Sequence, residues 1–284
     1  MASIAVRNQT VPLNGVNYRI NSTPNAKAGN GALTQAKDFA DSAYGAYKLT
    51  DGVSKLFKES IIIAESAGNL SAAAALKGPG SVIGGMAGGF IAAHWVSSAI
   101  GVKDSIKAVV DNGPSCGRVE SLVKDSLDFI TSGCFTMINF VDAPVLKVIG
   151  TFADLTGDSI EVKQEACNLT LADDLLKTQG ETGGVSADIH ADLVAKKKLH
   201  FIGLVKAVVS VVGGIFAALA IILGAALVPA IVTASIGLVA ITLTFVKHFF
   251  RENMDQNVKI ERLVAPVEVI SATTAGAPAA EVRA

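Results

Sequence analysis

The chain lacks the cysteine pattern that would organise a disulfide framework or a zinc site. It holds three cysteines, Cys116, Cys134 and Cys167, far apart and odd in number. No Cys-x-x-Cys pair occurs, and His94, His190, His200 and His248 are scattered. Neither device is supported, and the thiols are expected to be buried and free. The first residues, MASIAVRNQTVPLNGVNYRINSTPNAKAGNG, lack an apolar core of signal-peptide length. They are rich in Asn, Ser, Thr and Gly, so residues 1–31 read as disordered and a cleaved secretory signal is not expected. Charge is scarce: charged residues are 17% of the chain and hydrophobic residues 50%, with a mean hydropathy of +0.47. A soluble domain carries roughly 25% charged residues. The net charge of −1 gives no global pull toward nucleic acid, so no nucleic-acid partner is expected and any electrostatic recognition must be local.

Phosphate-binding loops are missing too. The segment GPGSVIG, from residue 78, has one residue too many between its last glycines for a dinucleotide fingerprint, and no lysine follows Gly84 or Gly85 as a P-loop requires. No nucleophile elbow, HExxH or paired-acid motif orders the serines, histidines and acids. Asp188, His190 and Asp192 form D-x-H-x-D, but alternate residues of a helix do not share a face. The first turn of a helix, where Asp is favourable, explains them better than a metal. No enzyme activity, cofactor or metal is expected.

What the chain does have is a long uncharged block. Val208 to Val246 holds no charged side chain. The interval between Lys206 and Lys247 spans about forty residues, or about 60 Å as a helix. A bilayer core of about 30 Å takes about twenty helical residues, so two crossings use that length and one cannot. Pro229 stands where the turn belongs, disfavouring helix at Val228 and starting the next. A transmembrane hairpin is expected over 204–249, with helices from about 204 to 227 and from 229 to 249. Insertion of either lobe is favourable by roughly 3 to 6 kcal/mol from its Leu, Ile, Phe and Val alone. Lys196, Lys197, Lys198 and Lys206 precede the block, and Lys247 and Arg251 follow it. By the positive-inside rule both flanks, and so both termini, stay cytosolic. Small residues four apart would let the helices approach: Gly213 and Ala217, Ala220 and Gly224, Thr233 and Gly237.

A second uncharged run, 78–102, is long enough to enter or cross a membrane. Gly84 with Gly88 and Gly85 with Gly89 make overlapping GxxxG pairs there, a helix-contact signature. Elsewhere the period is helical. Phe39, Ala43 and Tyr47, then Val53, Phe57 and Ile61, recur mostly at four-residue steps, as do Val119, Val123 and Leu127. Pro144 should interrupt the second stretch. No alternating strands are evident, so the expected fold is all-α: a helical region over 32–178, a linker and basic helix over 179–203, the hairpin, and a mostly disordered tail over 250–284. Within the apolar spans no Asp, Glu, Lys or Arg occurs, which disfavours a coupled transporter and favours an anchor with its working parts outside.

A paired apolar lobe of this size with both flanks on one side, together with a start that lacks a signal, resembles the chlamydial inclusion-membrane proteins. The resemblance covers residues 204–249 and the N-terminus. It implies an effector in the membrane of a pathogen-containing vacuole, with host trafficking proteins as partners and both tails in host cytosol. The extra span at 78–102 and the late hairpin depart from that pattern. The expected partners are the lipid bilayer, unidentified proteins and further copies of the chain as a homo-oligomer. The sequence therefore points first to a non-enzymatic membrane-anchored scaffold. Two other readings stay open: a pore-forming or translocator-like protein with an insertable hairpin, and a multi-span channel or carrier.

Overall fold

The computed structural model of the chain describes residues 6–182, 186–223 and 230–263. Two strands come first, β1 (Arg7–Leu13) and β2 (Val16–Pro24). A short helix, α1 (Ala32–Ala40), leads into longer ones: α2 (Ala43–Ser66), α3 (Leu70–Asn112), α4 (Cys116–Ile138), α5 (Pro144–Thr182), α6 (Ala187–Leu223) and α7 (Ala230–Glu252). A last strand, β3 (Gln256–Leu263), follows. The described chain is thus predominantly helical, as the apolar periodicity requires.

The helix ends have local causes. Ser42, Asn69 and Ser115 accept hydrogen bonds from the backbone N–H groups of Gly45, Ala72 and Arg118, satisfying donors that a first turn leaves free. Pro144 opens α5, where a missing N–H costs nothing. Connections this short make sequential helices antiparallel neighbours. Accordingly α2 packs on α3, α3 on α4, α4 on α5, α5 on α6 and α6 on α7, and α7 closes back onto α2. The result is a ring of six helices. Each seam has a glycine at a point of close approach. A Cβ at Gly80 would stand 3.2 Å from Phe57, at Gly133 2.8 Å from Trp95, and at Gly150 3.1 Å from Cys134. One at Gly214 would stand 3.0 Å from Leu155, at Gly213 3.1 Å from Ile236, and at Gly52 3.3 Å from Ile241. Small residues at helix contacts are how backbones approach where apolar burial drives little association.

Three helices, α3, α6 and α7, are long and apolar enough to cross a membrane. Their apolar side chains are largely on the outside. On α6, Phe201, Val205, Val208, Val212, Ile215, Leu219 and Ile222 are all exposed and recur at four- and three-residue steps. That stripe is about 32 Å long at the helical rise, close to the thickness of a bilayer core.

At one end of the ring the three strands form an antiparallel sheet in the order β1-β2-β3. Asn14 and Gly15, with φ of 51° and 76°, make the two-residue turn between β1 and β2. Alternate residues Val11, Ile20 and Val258 face inward onto Leu175 of α5 and Ile189, Leu193 and Leu199 of α6, with Met254. This sheet-capped end has a conventional apolar core. Polar locks hold it to the helices. Asp192 accepts from Ser22 Oγ at 2.6 Å and pairs with Arg7 at 3.3 Å. The Asn25 amide donates to the carbonyls of Arg251, Glu252 and Met254, closing the C-terminal end of α7. Gln35 and Asn253 exchange amide hydrogen bonds at 2.9 and 3.0 Å. Because β2 pairs with β3, both described ends of the chain lie at the same end of the ring.

Several expectations are corrected. Residues 7–24 are paired strands in place of disorder, and residues 256–263 form a strand where a disordered tail is expected; residues 264–284 lie outside the described residues. The helical expectation holds for most of the described chain, but the expected absence of strands misses the small sheet, whose inward alternation runs through polar residues such as Ser22 and Gln256. The segment 78–102 is part of one continuous helix, α3, with Pro79 within its early turns. The first helix of the expected hairpin begins at Ala187 and runs to Leu223, about ten turns at 3.6 residues per turn, so it absorbs the expected basic helix. Pro229 and Gly224 lie outside the described residues. Cys116 and Cys167 are exposed rather than buried, and all three thiols are free.

Candidate functional site: a charged chamber inside the ring

Side chains of α2, α3, α4, α5, α6 and α7 line a half-open cavity of about 880 Å3. Its wall is charged. Lys48, Lys55 and Lys58 come from α2, His94 from α3, Lys124, Asp125 and Asp128 from α4, Asp154, Asp158 and Glu161 from α5, and Lys206 from α6. Helical spacing explains the acidic wall: Asp154, Asp158, Glu161 and Glu165 follow at steps of four, three and four, so one face of α5 carries them all.

Ion pairs tie the wall together. Glu161 accepts from Lys124 at 3.1 Å and from Lys206 at 3.0 Å, with Lys247 at 3.5 Å. Glu165 accepts from His200 at 2.6 Å and from Lys247 at 2.5 Å. One carboxylate pair on α5 thereby joins α4, α6 and α7. Gly203 makes room for it, because a Cβ there would stand 2.5 Å from the Glu165 carboxylate. His94 meets Asp128 at 3.3 Å, and Lys55 pairs with Asp51 at 2.6 Å. Asp125 accepts from Ser105. Among the described residues Asp154, Asp158, Lys48 and Lys58 have no ion pair within 4.0 Å. The Lys48 ammonium instead stands 5.3 and 5.2 Å from the ring centres of Tyr44 and Tyr47, in cation–π range. Thr131, buried on the α4 wall, has an Oγ1 without a hydrogen-bond partner.

No family model, curated protein or solved structure matches the chain. Its chemistry must be read from the chamber itself.

The expected packing residues divide into three groups. Gly213 faces Ile236, Gly237 faces Lys55, Gly84 lies 3.5 Å in Cβ terms from Ser54, and Gly88 approaches Asn139. Gly85 and Gly89 have nothing within 4 Å of an added Cβ, so only one of the two GxxxG pairs is a contact face. Ala217 and Thr233 line the chamber, and Ala220 is half-buried. The basic flanks are less free than their spacing suggests. Lys206 and Lys247 are held by Glu161 and Glu165, Lys197 by Asp173 at 2.5 Å, and Arg251 by Glu252 at 3.1 Å. Lys196 is half-buried, and burial holds its ammonium below the ordinary lysine range. Lys198 is exposed.

The D-x-H-x-D acids anchor strands: Arg7 reaches both Asp188, at 3.5 Å, and Asp192. Among the described residues no group of three His, Cys, Asp or Glu side chains is arranged to hold a metal ion. The chamber escapes an inspection of the apolar spans because most of its charges come from α2, α4 and α5. The stepped acids of α5 are the signal that could have revealed it.

Proposed function

We propose that the chain is a multi-span integral membrane protein whose six-helix ring encloses a pathway for polar solutes, as a channel or carrier. The observation that carries this reading is the reversal of the ring. A cluster of charged side chains lines its interior while many large apolar side chains lie on its outside. Val96 of α3 is 65% exposed and Ile222 of α6 is 64% exposed, while Glu161 between them in the wall is 8% exposed. In water such an arrangement is unfavourable on both faces. In a bilayer the outside is solvated by lipid, and ionisable groups facing a bundle interior mark solute or ion paths. All six helices have the length for it, since even α4 with 23 residues is about 35 Å long. Six crossings put both ends of the chain on one side, and Lys196, Lys197, Lys198 and Arg251 at the sheet-capped end favour the cytosol by the positive-inside rule.

The test is reconstitution of the full chain in liposomes with flux of small ions and organic solutes. Protein-dependent flux that falls when Lys206 and Glu161 are replaced supports the pathway. Incorporated protein that passes nothing, or a chain that stays a dispersed monomer without detergent and ignores liposomes, overturns it.

A second reading is the two-span anchored scaffold, in the manner of an inclusion-membrane protein with host partners. Its support is the apolar contrast between helices: the mean hydropathy of the α6 window is 2.4, against 1.2 for α3. One labelling experiment separates the two. With the three natural cysteines removed, an Ala67→Cys variant places a thiol in the exposed α2–α3 connection. It is reached only from the side opposite the termini if α2 and α3 cross, and from the termini's side if only α6 and α7 do.

A further inference from the structure

We propose that the chamber binds a zwitterionic solute, with its ammonium on Asp154 and Asp158 of α5 and its carboxylate or phosphate on Lys48 of α2. The proposal rests on the solute-chamber reading above and gives it a substrate class.

Three observations converge on it. First, the chamber wall is balanced: five lysines and five carboxylates line it. A simple cation or anion would neutralise one sign and leave the other. Second, the unpaired charges are segregated. Glu161, Asp128 and Lys55 already have ionic partners and Asp125 is hydrogen-bonded; of the charges without an ion pair, Lys48 and Lys58 stand on α2 and Asp154 and Asp158 on α5. Asp154 and Asp158 are one turn apart on α5 and reach the chamber together. Lys48 stands on α2, three places around the ring of six from α5 and hence across from it. These opposite charges face one another across the ring without a direct ion pair. Asp154 is exposed within the chamber and Asp158 and Lys48 are half-buried, so a solute can reach all three. A solute with both charges meets both walls at once. Third, Thr131 Oγ1 is buried at the chamber wall without a partner, and Thr131 is 8% exposed. It offers the polar contact that fixes a ligand's orientation. Tyr44 and Tyr47 border the Lys48 side, where Lys48 lies against their rings. At about 880 Å3 the cavity suits a solute from amino-acid to short-peptide size.

The experiment uses full-length protein in nanodiscs of phosphatidylglycerol and follows thermal unfolding as ligand is titrated. The probes are alanylalanine, its N-acetyl derivative and its C-terminal amide. The capped forms have the same backbone, but each lacks one charge. The expected result is stabilisation by alanylalanine, with an affinity about tenfold or more above either capped form, the scale of one lost charge-assisted hydrogen bond. Lys48→Gln should bind the dipeptide no better than the wild type binds the amide. Asp154→Asn with Asp158→Asn should bind it no better than the wild type binds the N-acetyl form. The capped series on the unaltered chain decides the matter even if a variant does not fold.

A parallel arm in phosphatidylethanolamine nanodiscs separates sources. Stabilisation by that lipid, with no dipeptide response in either membrane, supports the same ammonium-plus-anion chemistry and assigns it to a lipid headgroup. Equal affinities for the three probes, or no response to dipeptide or lipid, overturn the proposal. Liposome flux that persists in that case leaves the pathway reading standing, whereas selective dipeptide binding without flux removes the pathway and keeps the site.

Discussion

The two ends of this molecule bury opposite kinds of side chain. At the sheet-capped end Ile20 and Leu193 are 0% exposed, and polar residues such as Asn17 and Arg19 face out. In the ring many large apolar side chains face out and a cluster of charges faces in. On the proposed membrane reading, the same chain obeys two solvents. Where water surrounds it, apolar burial drives the packing, and a strand alternates apolar and polar at period two. Where lipid surrounds it, apolar exposure costs little, and the interior is free to hold ion pairs that tie helices together. The boundary runs along α5 and α6, which serve both regimes. α5 contributes Glu161 to the chamber and Leu175 to the apolar core, and α6 contributes Lys206 and Leu193.

The sharpest way to break this contrast is to remove the charge that organises the ring. Glu161→Gln leaves Lys124, Lys206 and Lys247 facing one another without their common carboxylate. Loss of one partner of a buried ionic cluster costs about 3–5 kcal/mol, so thermal unfolding in detergent should show the largest loss of any single change here. Adding Lys206→Met should restore part of it, because one uncompensated ammonium is gone. A fully additive double variant would mean that the two groups do not interact.

Leu193→Ala attacks the other regime. Leu193 is fully buried against the sheet, and such truncations cost about 2–5 kcal/mol. Proteolysis should then release β1 and β2 while the ring stays resistant. Loss of both regions together would show that they fold as one unit.

How much of this was legible beforehand differs between the regions. Length and absence of charge mark α6 and α7 plainly, and Pro144 marks the start of α5. The strands carried a readable signal that composition concealed: Asn14-Gly15 between Val11, Leu13, Val16, Tyr18 and Ile20 is a two-residue hairpin pattern. Asn and Thr on the outward positions, such as Asn8, Thr10 and Asn17, made the stretch resemble disorder. The chamber was half legible. The steps from Asp154 to Glu165 describe one helix face, but a charged helix face is ordinarily a solvated one. What reverses that reading is closure of α7 onto α2, a long-range contact that no local pattern encodes.

Val212→Arg asks which solvent the ring meets. Val212 lies mid-way along the exposed stripe of α6. At the centre of a crossing helix an arginine costs about 2.5–3.5 kcal/mol on the insertion scale. On a water-facing surface the same change stays within about 0.5 kcal/mol. Carbonate extraction of membranes should therefore release the variant while retaining the unaltered chain. Equal retention of the two, with unchanged folding, would place that stripe against protein or water instead of lipid.

The smallest effect belongs outside the ring, where charge meets water. Asp173, on the part of α5 that approaches the sheet, accepts from Lys177 at 2.7 Å and from Lys197 at 2.5 Å. These hydrogen bonds lower its pKa from 3.8 to about 2. A depressed carboxyl stabilises the folded form above its unfolded pKa of about 3.9 and loses that contribution as pH falls through about 2. Resistance of the sheet-capped end to an acid protease should thus decline slightly more steeply between pH 4 and pH 2 in the unaltered chain than in Asp173→Asn, which has no proton to take up there. The difference should shrink in high salt, because this pair is exposed and screened, whereas the Glu161 cluster should keep its effect. If salt weakened both alike, the charged wall of the ring would be as open to water as the outside of the sheet, and the division into two solvents would fail.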